Sequence, residues 1–412
     1  MRAVQPASGG LPLSPTRQSG DAGERRESPA ARRARLLVVS HPAVVDVNQL
    51  VYRELASRGW RVTIVLPSHW RSEYSSAGMT PRALAGMEAS LRPTRVLLPG
   101  RPQRHLYVTR PGVLCRRLRP DVAFVEAEPY SLPSFQWSSA FARARIPFGV
   151  QCYENIDRGL PAPVRALRSR LLRRAAFVAA RSDTAGELAR SWGARGEIGF
   201  APPAVPGWPP RERDRDRPFT VGYAGRLVES KGLADLLAAV RRLEQPVELL
   251  LIGDGELRER LQGAPIPGSC VRVLGGLRHD RMSEGYAQID VLVLPSRTTP
   301  TWKEQFGRVI VEALWCGVPV VGSDSGEIPW LIELTGGGLV FGEGDSEMLA
   351  ARLSQLRRHP ELRERLAGSG RAAVERLFSV PAATDALERL LRAAAEASAP
   401  TTPPLRTCPD RP

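Results

Sequence analysis

The 412-residue chain carries 58 basic and 43 acidic side chains, a formal charge of +15, and 42% hydrophobic residues. That composition is globular, and the length allows two domains with full cores. No apolar run approaches the roughly 18 residues of a membrane-spanning helix. The five cysteines (115, 152, 270, 316, 408) form no C-x-x-C, which argues against a structural zinc site and for a reducing compartment, so the chain is placed in the cytoplasm.

Residues 1–34, rich in Pro, Ser, Gly and Arg, lack the apolar core of a signal peptide and read as a disordered extension, as does the tail 397–412. Lys231 and Lys303 are the only lysines, so almost all of the basic charge is arginine. Basic and aromatic residues are not interleaved as single-strand binders require, and no nucleic-acid partner is expected.

From residue 35 strands and helices alternate. "RLLVVSH" is a strand, "NQLVYRELASRG" a helix closed by Gly59, and "WRVTIVLPS" a strand. "TRVLLPG", "DVAFVEAEP", "IPFGVQ" and "AFVAARS" follow as further strands, giving a parallel α/β domain over 35–200. Within it, "PVRALRSRLLRRAAFVAARS" sets Arg165, Arg168, Arg170, Arg173 and Arg174 around Val164, Leu167, Leu171 and Leu172. A basic amphipathic helix of this kind can lie on anionic lipid, or be an ordinary solvated face. Residues 201–218, Pro-rich and then alternating in charge, read as a linker. The acid-x-acid pair Asp214 and Asp216 within it reads as solvated rather than metal-binding, and no metal site is expected.

Alternation restarts over 219–378. "FTVGYAG", "VELLLIGDG", "CVRVLGG", "DVLVLPS", "VPVVGSD" and "GLVF" are strands; "GLADLLAAVRRL", "GELRERLQ" and "GRVIVEALWCG" are helices. A closing helix occupies 379–396. Two successive doubly wound units leave a cleft between them, where ligand sites tend to lie.

In "YAGRLVESKG", Gly225 relaxes the turn after the first strand, while Arg226 and Lys231 flank a loop that enters a helix near Gly232. Two cations at a helix N-terminus suit a pyrophosphate. The rarity of lysine here strengthens the case for Lys231, since an ammonium is a point-charge phosphate partner that a guanidinium does not replace. Neither G-x-G-x-x-G nor a Walker motif is present, so nicotinamide, flavin and P-loop sites are unsupported. In "WKEQFGRVIVEALWCG", Glu304 precedes a helix with Val309, Ile310, Ala313 and Leu314 as its apolar stripe, and Glu312 lies one turn after Arg308. A carboxylate near a helix N-terminus is stabilised by roughly 0.3–1 kcal/mol, and Glu312 can simply pair with Arg308, so these residues alone do not require a ligand.

"GRLVESKG", "LLIGDGELRERL", "DVLVLPS" and "EQFGRVIVEALWCGVPVVGSDSGEIP", in this order over about 219–345, resemble the C-terminal half of retaining glycosyltransferases of family 4. The resemblance implies the α/β GT-B architecture, two Rossmann-like domains facing a central cleft. It implies transfer of a sugar from a UDP- or GDP-sugar to an acceptor hydroxyl, metal-independent, with the nucleotide sugar as co-substrate and no cofactor. By the same resemblance Arg226 and Lys231 hold the donor diphosphate, and Glu304 meets the sugar hydroxyls. Gly225, Gly253, Gln305, Phe306 and Gly307 line the donor, and Glu312 meets the ribose. A nucleotide-sugar epimerase or hydrolase and a non-catalytic nucleotide-sugar binder are the alternatives.

The first half is less similar. The loop "SHPAVVDVNQ" lacks the glycine pair of many relatives, Ala127 stands where others have a histidine before Glu128-Pro129, and "PPAVP" replaces the usual domain junction. Candidates on the acceptor side are His41, Asn48, Glu126 and Glu128. The acceptor is left open, a lipid-linked one with peripheral contact at the inner membrane face among the options.

Overall fold

The computed structural model describes residues 33–72, 75–208 and 217–397; Asp214, Asp216, residues 1–32 of the N-terminal extension and most of the tail lie outside them. A seven-stranded parallel sheet runs in the order Glu197–Phe200, Phe177–Ala180, Phe148–Cys152, Val122–Glu126, Arg35–Ser40, Arg61–Pro67, Leu91–Thr94. A six-stranded parallel sheet follows: Cys270–Gly275, Glu248–Ile252, Thr220–Ala224, Val291–Leu294, Val320–Ser323, Gly338–Phe341. Their inner strands are near-continuous apolar runs because helices cover both faces.

Alternation along each strand assigns the faces. In Arg35–Ser40, Leu36 and Val38 enter one core with the helices Leu50–Ser57 and Val380–Glu396. Leu37 and Val39 enter the other, under Pro111–Leu118, Leu132–Ala144, Ala162–Leu172 and Asp183–Ser191. Strand order reverses between Arg35–Ser40 and Val122–Glu126 in the first sheet, and between Thr220–Ala224 and Val291–Leu294 in the second. Ligands of open parallel sheets sit at the carboxyl ends of the strands at such a switch point.

One expectation needs correction, and two features add to the reading. "TRVLLPG" is not a strand of the parallel sheet. Leu91–Thr94 forms its edge, and Val96–Leu97 pairs antiparallel with Leu106–Tyr107 in a separate hairpin. Pro93 tolerates that edge because an edge strand has donors to spare. The strand Glu197–Phe200 was not expected from its sequence, where Gly199 weakens the apolar run. The closing helix packs on the first sheet: Leu387, Leu390, Leu391 and Ala394 lie in its core, and Trp60 Nε1 donates to Glu388 Oε1 at 2.9 Å. The two connections between the sheets run side by side, with Val205 N donating to Phe378 O at 2.8 Å.

Candidate active site

At the switch point of the second sheet the backbone must turn tightly. Gly253 ends Glu248–Ile252 with φ +149°, and a Cβ there would stand 1.8 Å from Gly225 O. Only two glycines let these turns touch. Beyond Gly225, the half-buried Arg226 has its carbonyl fixed by Tyr223 Oη at 2.6 Å. Lys231 then ends a single helical turn, Glu229–Lys231, before the helix Leu233–Arg241.

Lys231 Nζ lies 2.5 Å from Glu304 Oε2, and Ser296 Oγ donates to the same oxygen at 2.8 Å. The Lys231 ammonium also stands 4.6 Å above the Trp302 ring. Both side chains are largely buried, so ammonium and carboxylate desolvate one another's surroundings and stabilise each other. The two residues expected to meet opposite ends of a donor are therefore in contact. Glu304 lies in the loop before the helix Arg308–Trp315, not within it. Its carbonyl accepts from Asn155 Nδ2 at 2.8 Å, just beyond the strand Phe148–Cys152, and from Glu327 N at 3.0 Å, at the start of the helix Ile328–Thr335.

Gly307, at φ +74°, caps that helix and offers no capping side chain, so its first amides are left without a side-chain partner at the positive helix end. Gln305 Nε2 reaches Glu154 Oε1 at 3.5 Å. Phe306 is buried and meets Phe378 edge-on at 5.8 Å, so its side chain is structural while its backbone remains part of the loop.

Glu312 is buried, not solvated. Tyr286 Oη donates to Oε2 at 2.9 Å, Arg308 Nε lies 3.1 Å from Oε1, and His279 Nδ1 lies 3.7 Å away. Burial pushes its carboxyl pKa up, against the pull of Arg308. Burial also pushes His279 down to about 4, so at neutral pH it is uncharged, and its Nε2 is buried with no partner among the described residues. Arg308 Nη1 continues to Asn48 Oδ1 at 3.3 Å, linking Glu312 to the first sheet.

The register that pairs Ser40 with Glu126 sets these two side by side at the carboxyl ends of their strands. Glu126 Oε2 accepts from Ser40 Oγ at 2.6 Å and Tyr52 Oη at 2.7 Å, and Oε1 faces Arg181 Nη2 at 3.4 Å. Arg181 is held in turn by Gln151 Oε1 at 2.7 Å. Tyr52, Glu126, Gln151, Arg181 and Asn48 line a 90 Å³ cavity that Arg308 also borders. His41 packs against Trp70 and His105 at 5.0 and 5.3 Å, and burial lowers its pKa to about 3, so it stays neutral. Glu128 stands apart from Glu126: its Oε1 accepts from Tyr153 N at 2.8 Å, and its Oε2 is buried with no partner among the described residues. Burial first, and the neighbouring Glu154 carboxylate, raise it to about 8, so it holds a proton at neutral pH.

Sequence reasoning missed Ser296, Trp302, Asn155, Glu154 and Tyr286. Ser296 and Asn155 each closely follow a strand's carboxyl end, "VLVLPS" and "QCYEN", which is the one signal that marked them. In the basic helix Ala162–Leu172, Arg168 is not on the surface: it is buried 3.9 Å over the Trp192 ring and 3.5 Å from Asp157.

Residues 207–373 match the family model described as glycosyl transferases group 1. These residues form a group 1 glycosyl transferase domain. The chain is similar to the lipopolysaccharide core biosynthesis glycosyltransferase LpsE of Rhizobium meliloti, 37% identical over 168 residues, 40% of this chain and 48% of that protein. It is also similar to the GDP-mannose-dependent monoacylated alpha-(1-6)-phosphatidylinositol monomannoside mannosyltransferase of Corynebacterium glutamicum, 32% identical over 160 residues, 37% of this chain and 42% of that protein. The chain thus spans about half the length of these curated relatives or less. Among solved structures, Anabaena HepE in complex with UDP-glucose superposes with a TM-score of 0.62 at 18% identity, covering 87% of this chain and 99% of that one. The fold is GT-B, two Rossmann-like parallel sheets with their helices. Arg226, Lys231, Glu304 and Glu312 lie within the glycosyl transferase domain; His41, Asn48, Glu126 and Glu128 lie outside the matched residues.

Proposed function

We propose that the chain is a retaining glycosyltransferase that moves a sugar from a UDP- or GDP-sugar to an acceptor hydroxyl without a metal ion. The observation that supports this most is the Lys231–Glu304 contact at 2.5 Å beside the N-terminus of Arg308–Trp315. A cation, a carboxylate and a helix end in one place suit the two sides of the bond that a nucleotide sugar must break. Lys231, Arg226 and the helix amides take the diphosphate; Glu304 takes sugar hydroxyls. Glu312 takes the ribose hydroxyls: a carboxylate has about four lone-pair sites, of which Tyr286 occupies one while the Arg308 ion pair holds the group in place.

As the bond from the anomeric carbon to the phosphate oxygen breaks, negative charge gathers on the diphosphate. Fixed cations and amides already aimed there stabilise it without reorganisation. The acceptor oxygen attacks the same face, and its proton passes to the departing phosphate oxygen, so retention needs no protein base. Cationic side chains meet the diphosphate charge, which makes a metal dispensable.

The UDP-glucose bound by HepE and the GDP-mannose named for the Corynebacterium relative keep both bases open. The names of the two relatives, lipopolysaccharide core and acylated phosphatidylinositol mannoside, support a lipid-linked acceptor. A thermal-shift screen of UDP- and GDP-sugars tests the reading. The true donor at 100 times Kd adds about 2.7 kcal/mol of stability. No stabilisation by any nucleotide sugar sinks the proposal. Given a donor and acceptor, NMR of the product reports retained anomeric configuration, and turnover persists in excess EDTA. Activity lost on chelation and restored by manganese would overturn the metal-free arrangement. Free sugar released without an acceptor would favour a hydrolase or epimerase, and binding without turnover with any acceptor would favour a binding protein.

A further inference from the structure

Residues 89–120 contain eight arginines (92, 95, 101, 104, 110, 116, 117 and 119) and no aspartate or glutamate. All eight are exposed, and none forms an ion pair with a described residue. The same stretch supplies four of the protein's most exposed large apolar side chains: Leu97 58%, Leu98 50%, Val108 59% and Val113 46%. Leu97 ends one arm of the hairpin and Leu98 follows it, Val108 follows the other arm, and Val108 N donates to Arg95 O at 2.8 Å. Val113 lies in the first turn of the adjoining helix Pro111–Leu118. Leu98 holds φ +56°, an uncommon conformation for a bulky residue. On the same side of the sheet, beyond Leu132–Ala144, an 800 Å³ groove is lined by Arg143, Arg170 and Arg174 with Leu167 and Phe135.

From these observations we propose that the hairpin and helix of residues 91–119 form a docking surface for an anionic lipid bilayer. Clustered apolar side chains ringed by uncompensated guanidiniums have the two properties an interfacial lipid contact needs. The apolar tips enter the headgroup region while the arginines meet lipid phosphates. The charge complementarity selects an acidic leaflet and not a neutral one. The docking is independent of the sugar-transfer reading, because vesicle binding needs no nucleotide sugar.

Co-sedimentation of the full chain with phosphatidylglycerol-containing vesicles against pure phosphatidylcholine vesicles tests it. Binding only to the anionic vesicles is expected, with release at 1 M salt, where the screening length falls to about 3 Å. Each basic residue near such a surface contributes roughly fivefold in affinity. Replacing Arg101, Arg104, Arg116 and Arg117 by serine therefore lowers affinity by about 10²–10³-fold. Replacing Arg260, Arg281, Arg371 and Arg376 instead, an equal charge loss on the second half, leaves binding within about twofold. A Val108→Trp variant reports insertion by a fluorescence blue shift on anionic vesicles, a signal that does not depend on the arginine variant folding. Equal binding to both lipids, equal losses in the two quadruple variants, or no blue shift overturns the proposal. So does tighter binding of the same surface to nucleic acid than to vesicles.

Discussion

Lys231 and the arginines of residues 92–119 carry like charge in opposite circumstances. Lys231 is largely buried against a carboxylate and over an indole. The arginines are exposed and have no carboxylate partner among the described residues. The first arrangement stores electrostatic order inside the fold, where a change is felt by the whole site. The second leaves its charge for something outside the chain. The same contrast holds between Arg181, locked to Glu126 and Gln151, and Arg116, which faces water.

The contrast is sharpest where a buried pair is cut. Glu126→Ala leaves the Arg181 guanidinium buried without its carboxylate and should cost about 3–5 kcal/mol, read as the shift of a urea melt. A loss below about 1 kcal/mol would mean that the Arg181 network is not held by charge. Lys231→Ala comes next. It removes the cation facing the diphosphate and leaves Glu304 alone, so turnover should fall about 10²–10³-fold with the fold intact. Lys231→Arg should recover only part, because the planar fork cannot occupy the place of an ammonium. Unchanged steady-state rates in Lys231→Ala would remove this residue from the site.

Glu128 tests the buried side of the comparison through pH. Its folded pKa of about 8 lies above the ordinary carboxylate value, so the folded chain binds the proton more tightly than the unfolded chain. The resulting stability is complete below the unfolded value and is lost as pH rises through about 8, at up to about 1.4 kcal/mol per pH unit. Glu128→Gln stays neutral throughout and should flatten that slope in melts between about pH 5 and 8. An unchanged slope would show that Glu128 is ionised in the folded chain. The smallest effect belongs to the exposed side. Arg116→Ser with Arg117→Ser should change stability by no more than about 0.5 kcal/mol each, measured by thermal melting. A large loss would mean that these arginines have structural partners.

How far the sequence reveals all this depends on how local the determinant is. The strands with unbroken apolar runs, "RLLVVS" and "ELLLI", were readable because period and composition suffice. Leu91–Thr94 was not, since an edge strand with Pro93 has no such run. Glu304, Lys231 and Glu312 stood out by residue type and spacing. That Lys231 would hold Glu304, 73 positions away, and that Tyr286 would hold Glu312, follows only from how the strands order in the sheet. Burial of Arg168 was equally hidden, because Trp192 arrives from another helix.

The helix Val380–Glu396 completes a core begun at residue 36. During synthesis the first sheet therefore emerges with an open trough where Leu387, Leu390 and Leu391 belong. It keeps that trough until the whole glycosyl transferase domain has left the ribosome. Domains ordinarily finish in order from the N-terminus. Here the first sheet's core is complete only once the last described helix of the chain is present.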